Sequence, residues 1–167
     1  MKWYHSRPAN EVSCIPFLHP VVISYLDKVI QKTWNILEHG SGGSTLWMAT
    51  RCNSVMSIEN NPNWLEAVQK RAGENVTIAT MINPLLQYHA YDIILIDGEP
   101  VTDRARWIES AVDMIAPGGL IVLDNANRPE YADQREWLRL KCAEYFTNNG
   151  NEENTKYLVT DFFWMKK

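Results

Sequence analysis

The sequence predicts an α/β fold built on a mostly parallel sheet with helices covering both faces, and three observations carry that expectation. Strand-like and helix-like patterns alternate through most of the 167 residues, as they do in chains of βαβ units. The stretch Asn35-Ile36-Leu37-Glu38-His39-Gly40-Ser41-Gly42-Gly43-Ser44-Thr45 reads as a strand, a glycine turn and the start of a helix. Four acids, Glu38, Glu59, Asp97 and Asp124, fall at the ends of expected strands, where parallel α/β sheets receive their ligands.

Taken in order, residues 1–20 are irregular, interrupted by Pro8, Pro16 and Pro20, and form an N-terminal arm or lid. Val22, Tyr25, Leu26, Val29 and Ile30 recur at helical spacing from Pro20 to Lys32. The glycine turn follows, with Ser44 or Thr45 capping a helix that carries Leu46, Trp47 and Met48. Ser54–Ile58 is a second strand ending in Glu59, and Asn60-Asn61-Pro62-Asn63-Trp64 is turn chemistry opening a helix that Gly73 or Asn75 ends. Asn75–Ala79 is a third strand, and the loop Thr80–His89 holds Pro84. The fourth strand runs into Asp97-Gly98-Glu99-Pro100. A helix on Trp107, Ala111, Met114 and Ile115 then leads through a Pro117-Gly118-Gly119 turn to a fifth strand ending in Asp124-Asn125. Leu138, Cys142 and Tyr145 place a further helix at about Tyr131–Tyr145, Asn148–Asn154 is an exposed loop, and Lys156–Trp164 supplies the last strand or strands.

Length and composition bound the function. A chain of this length, 46% hydrophobic with seven tryptophans, fits one domain with a sizeable core, residues 1–167 together. A net charge of −4 gives no electrostatic reason to expect a nucleic-acid partner. Cys14, Cys52 and Cys142 are odd in number and widely spaced, which reads as free buried thiols rather than a disulfide framework. No signal-peptide core or membrane-length apolar run is present, so a cytoplasmic protein with no membrane partner is expected. The four histidines lack zinc spacing, and Gly40-Ser41-Gly42 does not make a nucleophile elbow.

The glycine turn narrows the chemistry further. A dinucleotide fingerprint would place a third glycine where Thr45 stands, and the Gly-Lys-Ser/Thr of a phosphate loop is missing. What remains is Glu-His-Gly-Ser-Gly after a strand, then a carboxylate, Glu59, at the next strand end about 20 residues on, the position from which an acid accepts hydrogen bonds from a ribose diol. With Asp92-Ile93-Ile94-Leu95-Ile96-Asp97-Gly98 and Ala116–Asn125, this order of motifs resembles the class I S-adenosylmethionine-dependent methyltransferases over roughly residues 35 to 125. The resemblance implies a three-layer Rossmann-like fold with a seven-stranded, or reduced, sheet whose terminal strand inserts antiparallel. It implies S-adenosyl-L-methionine as cofactor and a small-molecule acceptor, for example a hydroxyl group. Glu38, Gly40, Ser41, Gly42, Ser44, Thr45, Glu59, Asn60 and Asp97 would form the cofactor site. Glu38 would hold the methionine ammonium directly or through water, and Glu59 the ribose hydroxyls. Close backbone approach is expected at Gly42, and His39 is expected to pack beside the cofactor or act as a base.

Asp97, Asp124 and Asn125 are similar to the metal triad of catechol- and caffeoyl-type O-methyltransferases, which implies Mg²⁺ or Ca²⁺ and Asp97 as the catalytic residue. Read without the metal, Asp97 contacts substrate or cofactor alone and Asp124-Asn125 caps the next turn. The lysine base often found after the first aspartate is replaced by Gly98-Glu99-Pro100-Val101, and Thr80 and Met81 stand where many relatives carry an acid for the adenine amino group. Arg104, Arg106 and Arg128 offer an alternative, an anionic substrate. The Asp/Asn-Pro-Pro-Tyr/Phe motif of amino methyltransferases acting on nucleic acid is missing after the fourth strand. A non-catalytic binding module is the competing reading. With no cap domain, the arm, a neighbouring copy in a homo-oligomer or a large substrate would have to close the pocket.

Overall fold

A computed structural model describes residues 12–81, 90–149 and 159–167; the expectations for residues 1–11, 82–89 and 150–158 lie outside the described residues. Seven strands form one sheet: β1 (Asn35–His39), β2 (Ser54–Ile58), β3 (Val76–Ala79), β4 (Tyr91–Ile96), β5 (Ile115–Asp124), β6 (Cys142–Asn149) and β7 (Val159–Met165). Their order is β3-β2-β1-β4-β5-β7-β6. The first five are mutually parallel, and β7 runs antiparallel between β5 and β6. Five helices connect them: α1 (Pro20–Val29), α2 (Gly43–Ala49), α3 (Pro62–Gln69), α4 (Arg104–Met114) and α5 (Ala132–Lys141). This is the mostly parallel α/β sheet that the alternation predicts, with the Rossmann-like order and antiparallel terminal strand that the resemblance implies.

The period-two geometry of the central strands divides the core into two layers. Ile36, Ile93, Leu95, Leu120, Val122 and Phe162 pack with Val22, Leu26 and Met48 of α1 and α2. Their neighbours Leu37, Ile94, Ile96, Ile121, Leu123 and Phe163 pack on the opposite face with Trp107, Ile108 and Leu138 of α4 and α5. Each such side chain contributes about 1.5–3 kcal/mol on burial, which is why these strands read as unbroken apolar runs. Helix starts follow local chemistry: Pro20 and Pro62 occupy first-turn positions, His19 Nδ1 accepts from Val21 N at 3.2 Å, and Asn61 Oδ1 accepts from Asn63 and Trp64 N at 3.1 and 3.2 Å.

Several expectations require correction. The helix predicted over Tyr131–Tyr145 stops at Lys141, and Cys142 opens β6, whose Tyr145 and Phe146 pair with Phe163 and Phe162 of β7. Ile115 belongs to β5 rather than to α4, and Pro117-Gly118-Gly119 lies within β5, where pairing with β4 shifts between Tyr91–Ile115 and Ile93–Leu120. The helix from Pro20 ends at Val29 and that from Pro62 at Gln69, short of Gly73. Cys52 is buried as a free thiol, Cys14 is exposed and Cys142 is half-buried. Among the described residues, no helix is long and apolar enough to cross a membrane.

Within the arm, Val12 packs with Leu46 and Val68, and Leu18 joins the α1 layer. Arg71 donates to the Val12 carbonyl, and the Ile15 carbonyl lies against Gly43. The described part of the arm therefore crosses the first residue of α2 while Ile15 and Phe17 remain exposed.

Candidate functional site

The sheet order reverses between β1 and β4, and the two strands leave the sheet there through glycines that touch. Gly40 has φ +96°, and a Cβ on it would lie 2.8 Å from Gly98 Cα; a Cβ on Gly98 would lie 2.7 Å from Gly40 N. Both contacts are shorter than real Cβ atoms tolerate, so the crevice at the switch point depends on glycine at these two positions. Gly42 differs from its expected role. Its φ of 169° is ordinary extended backbone, and a Cβ there would meet only the Trp64 ring, at 3.6 Å.

Beneath the turn, Glu38 is 1% exposed and accepts hydrogen bonds from the Ser44 and Thr45 hydroxyls, with Ser57 Oγ at 3.3 Å. Thr45 Oγ1 accepts in turn from Gly42 N at 2.8 Å, and Ser57 Oγ donates to the Gly40 carbonyl at 2.6 Å. Both ends of the turn are thereby tied to one carboxyl group. Burial pushes its pKa up to about 7 against the opposing pull of the three hydroxyls, with Glu59 adding a smaller upward push. Glu38, Ser44, Thr45 and Gly42 thus form one buried network, too enclosed for Glu38 to hold a ligand's ammonium directly, and Gly40 and Ser41 lie half-buried above it.

Glu59 stands at the open end of β2 and is half-buried. Its Oε2 accepts from Ser41 N at 3.0 Å and lies 3.2 Å from Ser41 Oγ, while Oε1 accepts from Asn61 N at 2.7 Å. The Trp64 indole N–H donates to the Ser41 carbonyl. Asn60, on the same loop, is exposed and donates to the Glu99 carbonyl at 3.5 Å. The glycine turn and the β2 acid, 18 residues apart, therefore meet, and Trp64 is a partner that the spacing did not reveal.

At the other end of the rim, the carboxyl groups of Asp97 and Asp124 converge across β4 and β5, and both pKa values are raised, in each case chiefly by burial. Asp124 is 1% exposed, with Oδ1 accepting from Thr160 Oγ1 at 2.9 Å and Oδ2 from Asn125 Nδ2 at 2.7 Å. Asn125 has φ 51°, its Oδ1 accepts from Arg128 Nη2 at 3.0 Å, and Tyr131 Oη donates to its carbonyl at 2.5 Å.

Arg104 lies between these groups. It is 1% exposed, and its guanidinium donates to the carbonyls of Gly98 (2.9 Å), Asp124 (2.6 Å) and Asp97 (2.6 Å) and to Asp97 Oδ1 at 3.2 Å. The expectation that Arg104, Arg106 and Arg128 jointly bind an anion is overturned. Arg104 is interior, Arg106 is exposed beside Asp103, and Arg128 is spent on Asn125. As a cage for Mg²⁺ or Ca²⁺, Asp97, Asp124 and Asn125 do not fit as they are seated. Both Asp124 oxygens already accept hydrogen bonds, the Asn125 oxygen faces Arg128, and a guanidinium fills the space. Among the described residues, no group of three or more His, Cys, Asp and Glu side chains is placed to hold a metal ion.

His39 is not the base that the sequence allowed. It is fully buried and stacks on Trp107 (4.6 Å between centroids, 12° between planes), with neither ring nitrogen hydrogen-bonded. Burial lowers its pKa to about 3. At the end of β3, Thr80 and Met81 are exposed.

No family model matches this chain, and no curated protein matches it in sequence. Its fold is shared with solved structures. An O-methyltransferase from Bacillus cereus in complex with SAH superimposes with a TM-score of 0.68 at 21% identity, over 91% of this chain and 84% of that one. A putative O-methyltransferase from Klebsiella pneumoniae gives 0.70 at 18% identity, over 95% and 87%. An rRNA methylase from Streptococcus thermophilus gives 0.68 at 14% identity, over 91% and 99%. At these identities the likeness concerns the fold.

Proposed function

We propose that this chain is an S-adenosyl-L-methionine-dependent methyltransferase acting on a small molecule. The observation that carries the proposal is the meeting of Glu59 with the Gly40–Gly42 turn beside the Gly40–Gly98 contact, a half-exposed carboxylate at the rim of the crevice where sheet order reverses. The donor set fits the cofactor. Glu59 offers acceptor oxygens to a ribose diol, and the backbone of Gly40, Ser41 and Gly42 with Asn60 lines the approach to it. When bound, the cofactor supplies an electrophilic methyl group on a cationic sulfonium.

The chain's own part is to bind, orient and exclude water. Glu38, Ser44 and Thr45 hold the turn in shape from below, and Gly98 lets β4 end against it. Asp97, with a side chain 15% exposed, is the more open of the two acids that converge at the β4–β5 end and the residue we assign to the acceptor. A cationic methyl donor favours such a carboxylate-rich rim. A small-molecule acceptor accords with the net charge of −4 and with the two O-methyltransferases among the similar structures, although an rRNA methylase shares the fold. The specific observation on the side of a binding module without turnover is the exposed Thr80-Met81 end of β3, which lacks a carboxylate. Calorimetric titration with S-adenosyl-L-homocysteine followed by turnover against small-molecule and RNA panels tests the reading. Binding with methyl transfer to a small molecule is expected; binding without transfer would leave the module, and transfer to RNA alone would replace the acceptor class.

A further inference from the structure

Arg104 is the largest of the fully buried side chains among the described residues. The acceptors of its guanidinium at the ends of β4 and β5 are the Asp97, Gly98 and Asp124 carbonyls and the Asp97 carboxylate, with Tyr131 beside it. The position has a local origin, because Arg104 opens α4, and a long side chain in a first turn points back toward the loop that precedes it. An arginine cannot lose its proton in such a place, so its charge is permanent. The guanidinium lies 3.2 Å from Asp97 Oδ1 and bonds the Asp124 carbonyl, so its positive charge stands directly against the two aspartates.

We propose that Arg104 is a resident cation, doing with a side chain what a divalent metal would do at this end of the sheet, so that the site takes its ligands without metal. A divalent ion entering here would meet a fixed positive charge, two Asp124 oxygens that each already accept a hydrogen bond and an Asn125 oxygen facing Arg128. The acceptor class follows, and this part rests on the methyltransferase reading. With no Lewis acid to chelate two adjacent oxygens and draw a proton from one, the fitting acceptor carries a nucleophile already unprotonated near neutral pH, such as a weakly basic aromatic amine or a phenol acidified by its ring substituents.

Mn²⁺ titration of the full chain, followed by electron paramagnetic resonance and by melting in Mg²⁺ or EDTA, tests the cation assignment without reference to activity. No saturable Mn²⁺ binding and an unchanged melting temperature are expected; stoichiometric binding that Asp124→Asn removes would overturn the assignment. A folded Arg104→Gln variant is expected to gain a Mg²⁺-dependent rise in melting temperature that Arg104→Lys does not. A folded Arg104→Gln indifferent to Mg²⁺ would reduce Arg104 to a clamp and overturn the substitution of metal by side chain. If Arg104→Gln does not fold, the wild-type titration decides. Failure of S-adenosyl-L-homocysteine to bind would defeat the methyltransferase reading while leaving these outcomes unaffected. Transfer to a vicinal diphenol that stops with chelator would defeat the acceptor class.

Discussion

The β1–β2 end of the rim and the β4–β5 end hold their acids in opposite ways. Glu59 is half-buried and accepts only from backbone and hydroxyl groups of adjoining loops. Asp97 and Asp124 converge and lie against a buried guanidinium. An acid held by exposed loop donors can exchange them for a ligand at small cost, whereas an acid paired in the interior cannot release its partner without leaving a charge unsolvated. The first end is therefore assigned to binding, and the second to stability and to shaping the acceptor side.

Removing the guanidinium should have the largest effect. Arg104→Met is expected to lower stability by about 3–5 kcal/mol, because the Asp97–Asp124 pair and three carbonyls lose their donor; urea unfolding measures it. A loss under 1 kcal/mol would erase the contrast between the two ends.

The buried acid below the turn should show itself in pH dependence. Below pH 4.5 Glu38 is protonated in both states; between 4.5 and about 7 the unfolded chain ionises it while the folded chain does not, so stability falls as pH rises and levels off above 7. The span is on the order of 3 kcal/mol. His39 has the opposite slope. Above pH 6.5 it is neutral in both states, and from 6.5 down to about 3 only the unfolded chain binds the proton, so stability falls as pH falls. Glu38→Gln is expected to be more favourable relative to wild type at pH 8 than at pH 4.5, measured by urea unfolding at both values.

A comparison within the glycines sharpens the picture at smaller magnitude. Gly98→Ala should cost about 1–3 kcal/mol or more, since its Cβ would enter the backbone of Gly40. Gly42→Ala should cost about 1 kcal/mol or less, because its Cβ meets only a ring at contact distance. Equal losses on denaturation would show that the close approach lies elsewhere.

The parts legible in the sequence are those with local or strictly periodic causes. β1, β2, β4 and β5 are apolar because both their faces are buried, and the glycine turn with Glu59 is a short motif at fixed spacing. β6 was not legible. Leu138, Cys142 and Tyr145 recur at helical intervals, yet Cys142–Asn149 is a strand that among the described residues pairs with β7 alone, so tertiary pairing overrides the local pattern. Arg104 was hidden for a related reason. An arginine at the start of a helix ordinarily faces water, and this one is internal only because β4 and β5 bring Asp97 and Asp124 to the same place. Similarly, the three hydroxyls around Glu38 come from β2 and α2, and no local signal marks Ser57 as one of them.

Calorimetric titration of S-adenosyl-L-homocysteine into EDTA-treated wild-type chain and into Glu59→Ala tests the division of roles most directly. One-site binding by the wild type is expected, unchanged by added Mg²⁺ and weakened by about 1–3 kcal/mol, roughly tenfold or more, in the variant. No binding by the wild type, binding only with Mg²⁺, or equal affinity in Glu59→Ala would contradict it.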